Sequence, residues 1–431
     1  MVYETDAVTH PTRELNMQRP KVLALILAGG AGSRLDVLTA ERAKPVMTFG
    51  GTYRLIDFAL SNCMHSRIND VWVIEQYELH SLNEHLANGR PWDLDRTYGG
   101  LQVLPPFEAD DKRKPEDSPN SGGFASGNAD AIYRHRRLIR EFAPDLLIVL
   151  SADHIYKLDF NDVVEHHLQT GAGVTIVTTK VPRAEASRFG NVVVGEDGTI
   201  AEFAYKPDKP LSDIVTTEVF VYSTSVLFEQ LDKLSGDEEG DSDLGDFGHE
   251  LLPALVASKQ AVDFRFKGYW RDVGTLTSYW QAHQDLLADK PSLQLDDPKW
   301  SICTFGAPRV PARIHETARI TNSLISPGCV VRGKVHDSVL ARGVIVEENA
   351  IIERSIILDD ARVEAFAHIS HAIIDTKTRV MKNARIGASP ATEKITDDDI
   401  TVIGAESTIA AKSIVTAGAR IKPRANTVDS E

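Results

Sequence analysis

The chain has 431 residues, 42% hydrophobic and 25% charged, which suits a globular protein of two domains. Its 62 acidic against 47 basic residues leave a formal net charge of -15, opposite to the footprint of a nucleic-acid-binding protein. The first 20 residues lack the apolar core of a secretory leader, no run approaches the ~18 apolar residues of a membrane span, and Cys63, Cys303 and Cys329 lack paired spacing, so a cytoplasmic protein with a flexible tail at 1–20 and no membrane partner is expected.

Lys21 to Leu27 is an apolar run bounded by glycines, which reads as a strand buried on both faces. Similar runs follow at Val71 to Ile74, Leu146 to Leu150, Val174 to Val177 and Val219 to Tyr222. Between them lie helical stretches such as Ala129 to Phe142, with apolar positions at Ile132, Leu138, Ile139 and Phe142. This alternation predicts an α/β domain with a mostly parallel, Rossmann-like sheet over 21–288.

Directly after the first strand comes Leu27-Ala28-Gly29-Gly30-Ala31-Gly32-Ser33-Arg34-Leu35, followed by Lys44-Pro45. Glycines let backbone amides approach a phosphate, and Arg34 and Lys44 can neutralise a triphosphate. The segment is not a P-loop, because no Gly-Lys-Ser/Thr ends it. Nor is it the dinucleotide fingerprint, because Leu35 stands where the last glycine belongs. Two loops, Glu108 to Gly123 and Ser235 to Gly245, read as surface segments, the first placed to act as a lid.

Composition changes after Leu287, and a linker is expected over 289–312. Then aliphatic residues recur every six positions at Val339, Ile345, Ile351, Ile357, Val363 and Ile369. After a slip come Val380 and Ile386, and then Ile403, Ile409, Val415 and Ile421. Six is neither the helix period nor simple strand alternation. It predicts a parallel β-helix over 313–431 with these side chains inward, serving assembly or regulation.

The glycine-rich motif resembles the signature of the sugar nucleotidyltransferases. Further segments are similar to the ADP-glucose pyrophosphorylase branch: Phe58 to Cys63, Gly127-Asn128-Ala129-Asp130-Ala131, Asp153-His154-Ile155-Tyr156-Lys157, Asp246 to Glu250 and Tyr269 to Thr275. The resemblance implies a left-handed β-helix, a homotetramer and synthesis of a nucleotide sugar for glycogen. The implied substrates are ATP and a sugar 1-phosphate, whose oxygen attacks the nucleotide α-phosphorus while pyrophosphate leaves. Arg34, Lys44, Asp153 and Asp272 then carry catalysis, and Asp153 and Asp272 hold Mg²⁺. The nucleotide falls to Leu27, Gly29, Gly30, Gly32, Ser33, Gln76 and Gly127. The sugar phosphate falls to Gly190, Tyr205, Lys206, Thr216 and Glu218, and an allosteric anion to Arg42 and Arg54.

Three departures cluster around the sugar. Tyr205 precedes Lys206-Pro207 where the family has Glu, Glu218 stands where it has Gly, and Ala125-Ser126 replace Tyr-Arg. Two orientations of Glu218 are open. Inward, its carboxylate suits the amine of glucosamine 1-phosphate; outward, glucose 1-phosphate is unaffected. Glu41 replaces an activator-binding Lys and Thr48 a His, so an altered effector preference is expected. Two further readings are a non-catalytic regulatory subunit, disfavoured by the intact phosphate and metal set, and a β-helix acyltransferase. The latter needs a paired histidine, and His315, His336, His368 and His371 have no identifiable partner.

Overall fold

The computed structural model describes residues 19–29, 33–76, 78–106, 127–235, 245–390 and 394–427. The expected tail (save residues 19 and 20), the lid segment Glu108 to Gly123 and most of Ser235 to Gly245 lie outside them, as do Gly30, Gly32, Ala125 and Ser126.

A nine-stranded mixed sheet forms the first layer. Its centre is Val22–Ala28, parallel to both Asp70–Glu75 and Leu146–Ser151, and Gly100–Leu104 extends it in parallel. Leu23 to Ile26 are fully buried, because helices cover both faces and apolar side chains of either parity find a core. On the other side Ile214–Ser223 runs antiparallel to Leu146–Ser151 and to Val174–Lys180. Its register breaks between Thr216 and Phe220, and Glu218 sits in that break with φ 55. For a non-glycine residue this left-handed conformation costs about 1 kcal/mol or more.

The expected helix over Ala129 to Phe142 is two helices, Asn128–Arg134 and Arg136–Phe142. His135 (φ -89, ψ 5) tightens the turn by donating its amide to the Ile132 carbonyl, so the apolar phase shifts. Leu138, expected inside, is 44% exposed.

From Arg313 onward the chain winds through three six-stranded parallel sheets, a parallel β-helix. Leu340, Ile357 and Ile374 stack in register, so one coil takes 17 residues here rather than 18. The six-residue ladder therefore slips. Leu340, Val346 and Ile352 point into the coil core, whereas Val339, Ile345 and Ile351, expected there, lie outside it. From Ile357 to Val415 the expected residues are buried in that core.

The two parts share a continuous core. Tyr279 and Trp280 of the helix Leu276–Asp285 pack with Ile356, Leu358 and Ile373 of the β-helix. The Trp280 indole donates to the Arg354 carbonyl at 2.8 Å, and Asp397 accepts from the amide of Thr277 at 2.7 Å. Among the described residues, no helix is long and apolar enough to cross a membrane.

Candidate active site

Strand ends build an open cleft of ≈ 650 Å³. Leu27 and Gly29 reach it from the central strand, Ser151 and Asp153 from its neighbour, and Thr216, Glu218 and Phe220 from the antiparallel side. This is the carboxyl edge of the parallel strands, where α/β folds place ligands.

Asp272 arrives by a separate device. Trp270–Asp272 pairs antiparallel with His154–Tyr156, which sets Asp272 opposite His154. A β-carbon on Gly274 would lie 2.9 Å from both Asp272 carboxylate oxygens, so only glycine leaves that carboxylate its place. The buried Lys44 ammonium bonds Asp153 and lies 3.7 Å from Asp272. Arg188, unassigned in the sequence reading, donates to Asp272 at 3.2 Å.

The charges depend on one another. Burial pushes the Lys44 pKa down, but Asp153 and Asp272 more than offset this and hold it above its ordinary value. Burial pushes Asp153 up, yet Lys44 and His154 overcome it and hold the carboxyl well below the usual range. His154 was also missed. Its Nδ1 lies 3.0 Å from the Thr217 carbonyl, and its Nε2 faces Asp153 at 3.6 Å, Asp272 at 3.8 Å and Glu218 at 3.9 Å. Burial lowers its pKa, and the three carboxylates raise it on balance. Its signals in the sequence were its place beside Asp153 at a strand end and its membership of the family-like segment Asp153 to Lys157.

Two carboxylates that share one cation fit a hard divalent ion. Among the described residues no group of three or more His, Cys, Asp or Glu is arranged to hold a metal. Mg²⁺ commonly takes one or two carboxylates and completes its shell with substrate phosphates and water, so Asp153 and Asp272 suit it.

On the nucleotide side, a β-carbon on Gly29 would come within 2.7 Å of the Gln76 side chain, so these two expected residues adjoin. Ser33 opens the short helix Ser33–Thr39. Arg34 is exposed, but close enough to Lys44 and Tyr205 to oppose in small part the rise in the pKa of each. At Gly127 a β-carbon would meet the Gly245–Asp246 backbone at 2.5 Å, so a packing requirement explains this glycine.

On the sugar side, Gly190 pairs with Tyr205 across an antiparallel ladder, and a β-carbon there would touch Thr216 Oγ1 at 3.0 Å. Lys206 Nζ donates to the Tyr205 hydroxyl at 2.7 Å, which donates to Asp246 at 2.9 Å. Burial and Asp246 raise the Tyr205 pKa, so the phenol stays protonated. Asp246 also accepts from the Asn128 amide at 3.1 Å. Glu218 points inward and lines the cleft, which decides between its two orientations. Burial raises its pKa, His154 opposes this, and Asp153 and Asp272 add to it.

Arg42 and Arg54 lie elsewhere, in a second cleft of ≈ 870 Å³ between the segment around residues 42–54 and the β-helix, with Arg309, Arg342 and Lys377. Arg42 bonds the buried Asp375, and Arg54 lies 3.2 Å from Asp359. Glu41 pairs with Arg424 at 3.1 Å.

Residues 23–289 match the model of the nucleotidyl transferase family, and residues 307–403 that of the GlmU-like C-terminal hexapeptide. The chain is 37% identical over 393 residues to a glucose-1-phosphate adenylyltransferase of Fervidobacterium nodosum, covering 90% of this chain and 92% of the relative. It is 39% identical over 401 residues to that of Pseudothermotoga lettingae (92% of each) and 41% over 332 to that of Thermosipho melanesiensis (77% and 78%). With a mixed α/β sheet, a hexapeptide β-helix and relatives matched over most of its length, the chain belongs to the nucleotidyl transferase family, among the glucose-1-phosphate adenylyltransferases.

Proposed function

We propose that this protein makes ADP-glucose and pyrophosphate from ATP and glucose 1-phosphate. The observation that carries the reading is that Lys44 joins Asp272 to Asp153, and Asp153 lines a glycine-edged cleft. No covalent intermediate is needed. An oxygen of the sugar phosphate attacks the α-phosphorus of ATP, that bond forms as the bond to pyrophosphate breaks, and catalysis is alignment plus charge neutralisation.

Each residue then has a task. Gly29, Gly30, Gly32 and Ser33 line the triphosphate, and Gln76 and Gly127 lie toward the base. Arg34 and Lys44 neutralise charge on the phosphates, and Lys206 holds the sugar phosphate as a point charge. Asp153 and Asp272 would hold Mg²⁺, which when bound supplies Lewis-acid charge to the phosphate oxygens. Gly190, Tyr205, Thr216 and Glu218 surround the sugar. Incubation with ATP labelled at the α-phosphorus tests this: label moves into a sugar nucleotide, and a chain that leaves all label in ATP is not this enzyme.

The same reading divides the chain at 21–288 for catalysis, 289–312 as linker and 313–431 for assembly into a homotetramer. It places the reaction in the cytoplasm, at the start of glycogen synthesis. The basic cleft around Arg42 and Arg54 is then an anion site for an effector. Its arginines already face Asp375 and Asp359, so an incoming anion competes with resident carboxylates.

A further inference from the structure

We propose that Glu218 tilts the sugar preference of the cleft toward a sugar 1-phosphate that carries an ammonium group, such as glucosamine 1-phosphate, taken alongside glucose 1-phosphate. The inference rests on the sugar nucleotidyltransferase reading above.

Three observations carry it. Glu218 occupies a left-handed backbone position inside a strand, at a register break that glycine would fill without strain. Strain of this kind persists where the surroundings impose it, and it gathers at ligand sites. Next, the carboxylate lines the cleft and accepts no hydrogen bond from any described residue. Its basic neighbours among the described residues are already engaged: His154, at 3.9 Å, also faces Asp153 and Asp272, and Lys206, close enough to lower the Glu218 pKa, donates to Tyr205. The side chain is 38% exposed, so the cleft is open to it.

The third observation is what the other wall has already used. Asp246 accepts from Asn128 and from Tyr205, and the Tyr205 hydroxyl accepts from Lys206. Among the described carboxylates that line the cleft, Asp153 accepts from Lys44 and Ser151 and Asp246 from Asn128 and Tyr205, which leaves Glu218 as the one that accepts no hydrogen bond and is open to a sugar substituent. A neutral hydroxyl can donate to it, but an ammonium adds charge to the hydrogen bond and offsets the repulsion Glu218 feels from Asp153 and Asp272.

The test is calorimetric titration of the full chain with glucosamine 1-phosphate and with glucose 1-phosphate, repeated as kcat/KM with ATP. Wild type is compared with Glu218→Gln, which keeps the shape, and Glu218→Gly, which relieves the backbone. Wild type should bind the amino sugar at least about tenfold more tightly, and the ratio should fall at least about tenfold in both variants. The Tm of Glu218→Gly should not drop, which separates lost recognition from lost folding. Tighter binding of glucose 1-phosphate by wild type, binding of neither sugar, or a ratio unchanged within twofold across the three proteins overturns the proposal. If the amino sugar is preferred in binding but neither sugar is turned over, the enzyme reading fails and the assignment of Glu218 stands.

Discussion

Asp272 lies opposite His154 across a short antiparallel ladder, and this pairing delivers a carboxylate from 119 positions down the chain to the side of Asp153. Lys44 then stands between the two acids as a buried counter-ion. In the proposed reaction it shares them with the metal.

Replacing that counter-ion should expose the conflict it resolves. Lys44→Ala leaves two acids near each other with one cation fewer, and removing one partner of a buried pair costs roughly 3–5 kcal/mol. Turnover should fall at least about a hundredfold. Differential scanning fluorimetry should show a lowered Tm and a larger rise with Mg²⁺ than in wild type. Equal Mg²⁺ shifts in both proteins would argue against a shared site.

Gly274→Ala tests the placement of Asp272 alone. The added methyl would come within 2.9 Å of the carboxylate oxygens and force them aside. The expected outcome is a Mg²⁺ requirement raised at least about tenfold with Tm nearly unchanged, read from rate against Mg²⁺ concentration.

Acid should weaken the fold through His283. Burial holds its pKa down at about 4, and the neutral ring both accepts from the Gly50 amide at 3.2 Å and donates to the Tyr279 carbonyl at 2.9 Å. Because the folded pKa lies below the unfolded value of about 6.5, its contribution is present above pH ~6.5 and is lost as pH falls toward 4. Urea unfolding between pH 7 and pH 4 should show this slope in wild type and a shallower one in His283→Gln.

Trp280 fastens the two parts of the molecule. Trp280→Ala removes a buried indole from the shared core and its bond to Arg354, at a cost of about 3–5 kcal/mol. Denaturant titration should show that loss, and a change below 1 kcal/mol would mean the parts hold together without it.

Much of this was legible in the sequence, for physical reasons that differ by region. Val22–Ala28 was readable because a strand covered on both faces must be apolar at every position. The β-helix was readable because a coil repeats its inward residue at a nearly fixed interval. The phase failed at Val339, Ile345 and Ile351 because a 17-residue coil takes one five-residue step, from Ile352 to Ile357. Lys44 was read as a phosphate ligand after the glycine-rich turn, but Asp153 and Asp272 were assigned by family likeness, since no local spacing reveals that the three meet. Arg188 escaped notice, and His154 and Asp246 were quoted in family-like segments without a role, because their importance lies in what they face. Gly127 shows the converse: a glycine assigned to the nucleotide has a sufficient cause in the backbone that crosses it.

Pyrophosphate release from ATP and glucose 1-phosphate, with and without Mg²⁺, in wild type and Asp272→Asn, tests the central claim most directly. The account predicts Mg²⁺-dependent release by wild type, ATP ahead of UTP and dTTP, and a loss of at least about a hundredfold in the variant. Wild type that releases no pyrophosphate, or a variant that matches it, would contradict the account.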